Sequence, residues 1–537
     1  MMHKQEAQDI EQATTYVQTQ PDNKTRRYDR QLRLWAASGQ AALESARVLV
    51  ISASATSTSI LKNLVLPGIG HFTILDPAKV TPADAGNNFF LNGHASIGKS
   101  RAEEAVPLLK ELNESVDGAA DTQSIEEVLE TSEGREWVKS FSLVIAHNLN
   151  SQTLDTLSRL LWQDITNPPL MVVRSSGFLA DFYIQYHEHC IIESHSETAP
   201  SLRLLRPFPA LKEWATSLDY AALDPTDHGQ VPFVVILVKA AEQWKAEHNG
   251  SLPTSYAEKQ AFKAYIYSLK VKLDEENFEE AEAQAFRLWS EKPVSSDVAA
   301  LFDLPPLSNP GNADETIEGN VAFHALLKTL KLFVESPDGP GTLPLTSLLP
   351  DMKTDTQSYV KLQRMYKEQA RIENELFKEL LKKNFPDIAI EEAMVDAFVK
   401  NAHHTKLLRG KRFGALDEDK AALASALEIS PRETATHLAL SALAALLSRG
   451  TEPSGITDEA LTKEVQSLVG QGVELPEQLA DAVGELARAP TADMPNIAAF
   501  LGGMVAQEAI KMITRQYVPI VGYCVVDLVD SWTGIIG

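Results

Sequence analysis

The chain has 537 residues, length enough for two to four domains each with a core of its own. A net charge of -24 argues against a nucleic-acid binder, which shows a basic face, and two cysteines, Cys190 and Cys524, exclude a disulfide framework or a C-x-x-C metal site. Hydrophobic content of 44% and charged content of 23% are those of an ordinary globular protein.

Residues 1–23 are polar and without periodicity, which predicts a mobile tail and no signal peptide. The longest apolar run, 231–238, is too short to span a bilayer, so the expected compartment is cytosol or nucleus, with no membrane or nucleic-acid partner. R-R-Y-D-R-Q-L-R-L-W (26–35) follows. Tyr28, Leu32 and Trp35 share one helical face, with Arg26, Arg30 and Arg33 beside it. This is an amphipathic helix packing on its own domain; an arginine so placed can also reach an anion, because its fork matches phosphate oxygens.

Arg47 to Asp76 reads as a β-α-β unit. Val48–Ile51 is a buried-type strand, Ile60, Leu61, Leu64 and Val65 fall at helical spacing, Pro67, Gly68 and Gly70 stop the helix, and His71–Leu75 is a second strand ending at Asp76. That is the dinucleotide-binding layout, and Asp76 stands where an acidic residue holds a ribose hydroxyl. The turn lacks the glycines: Ser52, Ser54 and Ser57 occupy their places, and a side chain there obstructs backbone approach to phosphate. A structural or degenerate unit is the favoured reading; a working nucleotide site is the alternative.

Further on, A-G-N-N-F-F-L (85–91) reads as a turn followed by two phenylalanines that need burial. A helix is expected over 100–113, and buried-type strands over 143–146, 170–173 and 178–186. Alternating strands and helices make 24–185 an α/β domain with a largely parallel sheet. In H-E-H-C-I-I-E-S-H (187–195), His187 and His189 share a strand face and Cys190 points away. An ordinary strand and loop is the favoured reading; a metal site with His195, or a nucleophilic Cys190, is the alternative. Residues 200–489 carry helical patterns, including an acidic run at 274–282 that reads as a solvated face. The nearly all-apolar helix 497–513, with Gly502 and Gly503 inside it, and one or two strands in 517–528 complete the α/β domain, so the helical block is an insertion over 186–489.

Y-D-R-Q-L-R-L-W (28–35), I-L-K-N-L-V-L-P-G-I-G (60–70), G-N-N-F-F-L (86–91), I-G-K-S-R-A (97–102), I-E-S-H (192–195), N-F-E-E-A (277–281), L-P-D-M (349–352) and I-A-A-F-L-G-G (497–503) together resemble the ubiquitin-like-protein activating enzymes, most closely their neddylation-type regulatory subunits. The resemblance implies a Rossmann-like, ThiF/MoeB-type adenylation domain over 24–185 and 490–537, carrying a mainly helical catalytic-cysteine-like domain without its cysteine. Active members have a glycine loop and Asn-Arg-Gln where this chain has Asn87, Asn88 and Phe89, and a lysine that aligns with Arg101. Asp76 is then a relic of the ribose contact, and this chain binds no cofactor or metal itself. ATP and Mg belong to a catalytic partner subunit, which adenylates a ubiquitin-like modifier and passes it as a thioester to a conjugating enzyme. Arg30 matches an arginine that reaches the partner's ATP site. The resemblance also places Tyr28, Asp29, Gln31, Arg33, Trp35, Asn87, Asn88, Phe89, Phe90, Asp351, Met352, Tyr359 and Gln363 at the partner interface. The competing readings are a non-enzymatic scaffold and a stand-alone nucleotide-dependent enzyme.

Overall fold

The computed structural model describes residues 23–193, 200–309, 312–316, 320–337 and 339–537. The expected tail lies outside them except for Asn23, as does His195. The chain forms two compact units: one runs to His189 and resumes over Arg409–Gly537, the other is Cys190–Leu408.

The first unit is built on an eight-stranded sheet. Its strands are β1 (Arg47–Ile51), β2 (His71–Leu75), β3 (Asp117–Asp121), β4 (Leu143–His147), β5 (Leu170–Ser176), β6 (Leu179–Gln185), β7 (Tyr523–Asp527) and β8 (Trp532–Ile536), in the order β8-β7-β6-β5-β4-β1-β2-β3. Strands β3, β2, β1, β4 and β5 are parallel, with Val50 opposite Ile74 on one side and Ile145 on the other. From β5 to β8 the pairing is antiparallel. Buried Val48–Ile51 and Leu143–Ala146 explain why these runs sit mid-sheet. Strand β3, D-G-A-A-D, escapes a hydrophobic reading because it is a half-exposed edge.

Helices cover both faces. In α1 (Asn23–Ser45) a break at Trp35 and Ala36 separates two helical pieces. Helix α2 (Ala55–Val65) follows β1 and crosses α9 (Pro495–Thr514) where Gly502 admits Ser59; a Cβ there would lie 2.4 Å from Ser59 Oγ. Gly503 beside it has nothing within 4 Å and takes no part in that crossing. Other helices of this unit include α3 (Pro82–Asn87), α4 (Arg101–Lys110), α5 (Ser151–Trp162), α6 (Pro431–Ser448), α7 (Asp458–Val469) and α8 (Gln478–Arg488).

The insertion expected over 186–489 is corrected here: residues 409–489 belong to the α/β unit. Leu438, Leu443, Leu461, Val465, Leu479 and Leu486 form one core with Leu179 of β6. Helical periodicity identifies such a segment as helical but carries no information about which sheet or bundle its apolar face covers.

In the second unit, helices Phe233–Glu247, Tyr256–Ser268 and Glu276–Gln284 gather around Phe233, Ile236, Phe262 and Phe278. The run read as a solvated acidic face buries Asn277, Phe278 and Ala281 on its inner side. A second cluster holds Phe323, Phe333 and Phe398. The long helix Thr356–Asn384 joins the two, giving Leu362 and Tyr366 to the first and Phe377 to the second.

Candidate functional site

Strand β1 has β2 on one side and β4 on the other, so successive crossovers leave in opposite directions and open a crevice at the carboxyl ends of β1 and β4. A cavity of about 520 Å³ lies there, lined among others by Ser52, Ser54, Arg101, His147, Arg174 and Asp493, with Leu440, Leu443 and Leu447 of α6 across it.

The β1–α2 turn puts a serine at a backbone angle that favours glycine. Ser52 has φ of 88°, in the left-handed region, while its N–H donates to Leu75 O at 3.0 Å. Ser54 is the N-cap of α2; its Oγ accepts from Ser57 N–H at 3.0 Å. That Oγ also lies 2.8 Å from His147 Nδ1, whose Nε2 is 2.9 Å from Ser175 Oγ. Burial lowers the His147 pKa, which favours the neutral ring.

The remaining N–H groups of the first helical turn go to a residue that sequence reasoning missed. Asp493 Oδ2 accepts from Ala55 N–H at 2.6 Å and Thr56 N–H at 3.3 Å, and Asp493 Oδ1 accepts from Thr56 Oγ1 at 2.7 Å. Locally, T-A-D-M-P reads as the start of α9, so nothing in its own neighbourhood marks Asp493 for a helix more than four hundred residues upstream.

The other expected site residues are engaged too. Asp76, 3% exposed, accepts from Ala53 N–H at 2.7 Å and Ala78 N–H at 2.9 Å, and pairs with Arg101 at 2.8 Å. Arg101 also reaches Asp84 at 3.2 Å. Asn88 is buried: Oδ1 accepts from Thr58 Oγ1 and Phe90 N–H, and Nδ2 donates to Ala53 O at 3.1 Å. Ser52, Ser54 and Arg101 therefore line one crevice, with Ser57 bonded to Ser54 and Asp76 to Arg101 just behind it, so these groups are engaged with one another.

Of the expected interface residues, Tyr28 and Trp35 are corrected: both are buried in their own unit. Asn113 Nδ2 donates to Tyr28 Oη at 2.9 Å, and Gly68, φ 89°, admits the ring where a Cβ would lie 2.5 Å from Oη. Trp35 Nε1 donates to Gln40 Oε1 at 3.3 Å. Buried Asn88 is likewise no surface residue. Asp29, Arg30, Arg33, Phe89 and Asp351 are exposed, Gln31, Asn87, Phe90, Met352, Tyr359 and Gln363 half-buried. Arg33 pairs with Asp29 at 3.1 Å, and Phe89 is 82% exposed beside the pinned Asn88. Met352 packs on the core of the second unit.

Residues 187–195 form no metal centre among the described residues. His187 stacks on Trp162 at 3.7 Å, His189 lies edge-on to Tyr186, and burial lowers both pKa values to about 4. Cys190 is buried in the apolar core of the second unit, which is no setting for a nucleophile.

A doubly wound sheet with its crevice at the β1/β4 switch defines a Rossmann-type unit, and the ThiF family model matches residues 28–161. Three curated relatives match nearly the whole chain. The "NEDD8-activating enzyme E1 regulatory subunit" of Xenopus laevis is 36% identical, over 92% of this chain and 95% of that protein. The protein of the same name from Gallus gallus is 35% identical over 92% and 95%. The Arabidopsis thaliana "NEDD8-activating enzyme E1 regulatory subunit AXR1" is 31% identical over 97% and 98%. The chain belongs to the family of NEDD8-activating enzyme E1 regulatory subunits.

Proposed function

We propose that this chain is the non-catalytic half of a heterodimer. Its partner binds ATP and Mg, adenylates the C-terminus of a NEDD8-type modifier and passes it as a thioester to a conjugating enzyme. The observation that supports this most is the β1–α2 turn: the N–H groups of Ala55, Thr56 and Ser57 already have partners within the chain, so a nucleotide phosphate would have to displace them.

What this chain supplies is surface and charge. Arg30 lies on the exposed side of α1, opposite buried Tyr28, with no ion-pair partner among the described residues. A guanidinium there is available to a partner's polyphosphate, where it would offset the charge that builds up as the modifier carboxylate displaces pyrophosphate. Phe89 offers an aromatic anchor for the same partner. The stretch 351–364 would supply a second contact, and the helical unit one wall of the modifier groove.

Modifier-dependent ATP–pyrophosphate exchange, run with this chain, with the catalytic subunit and with both, tests the reading. Exchange should need both chains. Loss of a charge-assisted hydrogen bond of about 1.5–3 kcal/mol predicts that Arg30→Ala slows exchange by about ten- to a hundredfold. An unchanged rate would leave Arg30 a structural residue and the chain a scaffold. Exchange by this chain alone would mean that the serine turn binds phosphate after all.

A further inference from the structure

A degenerate nucleotide site can be lost by collapse, by unfavourable side chains or by occupation. Collapse does not apply, since a cavity of about 520 Å³ remains. The turn also keeps a glycine-type backbone angle at its first position, Ser52, with a φ of 88°. What differs is who holds the helix. Ser54 already caps α2 through Ser57 N–H, as serines do at countless helix starts. A second, charged group from the loop before α9 nevertheless takes Ala55 N–H, Thr56 N–H and the Thr56 hydroxyl at 2.6, 3.3 and 2.7 Å.

We propose that Asp493 is an in-cis occupant of the phosphate seat, a tethered carboxylate that takes the place of a nucleotide's phosphate at the start of α2 and thereby excludes phosphorylated nucleotides from the cavity. The inference rests on reading the crevice as disabled, and it says how. An incoming phosphate would meet the Asp493 carboxylate at hydrogen-bond range, and like charges so placed repel strongly. The arginines lining the cavity do not offset this. Arg101 is neutralised by Asp76 and Asp84, and Arg174 by Asp181. The tether also gives Asp493 a large effective concentration that free nucleotide cannot match.

The same geometry names the ligand that would enter once the carboxylate is gone: a compact oxyanion carried on a nucleotide, or pyrophosphate itself. The full-length chain, purified alone, would be titrated calorimetrically with Mg-ATP and with pyrophosphate, as wild type, Asp493→Asn and Asp493→Ala. Pyrophosphate is expected to bind Asp493→Ala at least about tenfold more tightly than wild type, with Asp493→Asn between them. Inorganic phosphate should raise the thermal midpoint of Asp493→Ala, while chloride at matched ionic strength should not. A folded Asp493→Ala chain that gains neither response overturns the inference and leaves the disabled crevice standing. Wild type binding pyrophosphate as tightly as the variant overturns both. If Asp493→Ala does not fold, Asp493→Asn, which keeps an acceptor and removes the charge, decides by the same two readouts.

Discussion

Among the described residues each unit buries one arginine, and the two are held in different ways. In the α/β unit, Arg174 of β5 pairs with Asp181 of β6, its Nε 2.8 Å from Oδ1. His437 of α6, wholly buried, stands between Asp181 and Asp417, with its ring nitrogens 2.8 Å from each. In the helical unit, Arg203 donates to Glu373 at 2.6 Å and to Leu343 O at 2.8 Å, and Leu345 N–H donates to the same carboxylate at 2.8 Å. The second arrangement balances one cation against one anion. The first balances two carboxylates against Arg174 only when His437 carries a proton. Burial alone would lower the His437 pKa, but Asp417 and Asp181 outweigh it and the net shift is upward. The difference teaches that α6, which lies across the nucleotide-like crevice, is pinned to the sheet by a proton-dependent lock, whereas the helical unit is pinned by fixed charges.

The severest way to break the comparison is to strand each arginine. Asp181→Ala and Glu373→Ala should each cost about 3–5 kcal/mol, because an uncompensated buried charge is left behind. Amide hydrogen exchange would localise the first loss to β6 and α6 and the second to the helix Thr356–Asn384. If both variants loosened the same unit, the two clusters would not be independent.

The proton dependence comes next in size. With a folded pKa above the ordinary 6.5, His437 contributes fully below about pH 6.5, and its contribution is lost as pH rises through the folded value. Asp181 and Asp417 are held below the ordinary carboxylate range, burial being outweighed by Arg174 and His437 respectively. Their contribution is lost as pH falls through those lowered values. His437→Gln should therefore cost about 1.5–3 kcal/mol at slightly acid pH and flatten the alkaline fall in stability of the α/β unit. Urea midpoints of both chains across pH check this; parallel profiles would remove His437 from the lock.

Asp493 sharpens the comparison from the other side, as a carboxylate held by backbone N–H groups rather than by a cation. It is half-buried, so Asp493→Ala should cost about 1–2 kcal/mol, the range of a lost helix cap. A cost as large as that of Asp181→Ala would mean that it too balances a buried charge. The smallest effect has the opposite sign. Ser52 is in the left-handed region, where a Cβ is disfavoured, so Ser52→Gly should stabilise the chain by about 0.5–1 kcal/mol. A loss instead would show that the hydroxyl matters more than the backbone.

The sequence by itself determined the local elements around the site. The apolar runs of β1, β2 and β4, the helix stop at Pro67 and Gly68, the acidic tip at Asp76 and the serines of the turn are contiguous patterns whose physics is local. Chain-wide motifs also carried the family. Only the tertiary structure decided what those residues do, because their partners come from remote segments. Asp493 looks like the start of its own helix and caps another. Arg101 closes on Asp76 rather than on a ligand. Tyr28 and Trp35 pack inward as their shared helical face predicts, and what the structure added is who receives them, Gly68 and Gln40, in place of the partner interface that the resemblance implied. Residues 409–489 announce helices by their period, but the core that accepts those apolar faces includes Leu179 of β6, a strand more than two hundred residues upstream. Hydrophobic period is a property of one segment; burial and charge pairing belong to whichever segments folding brings together.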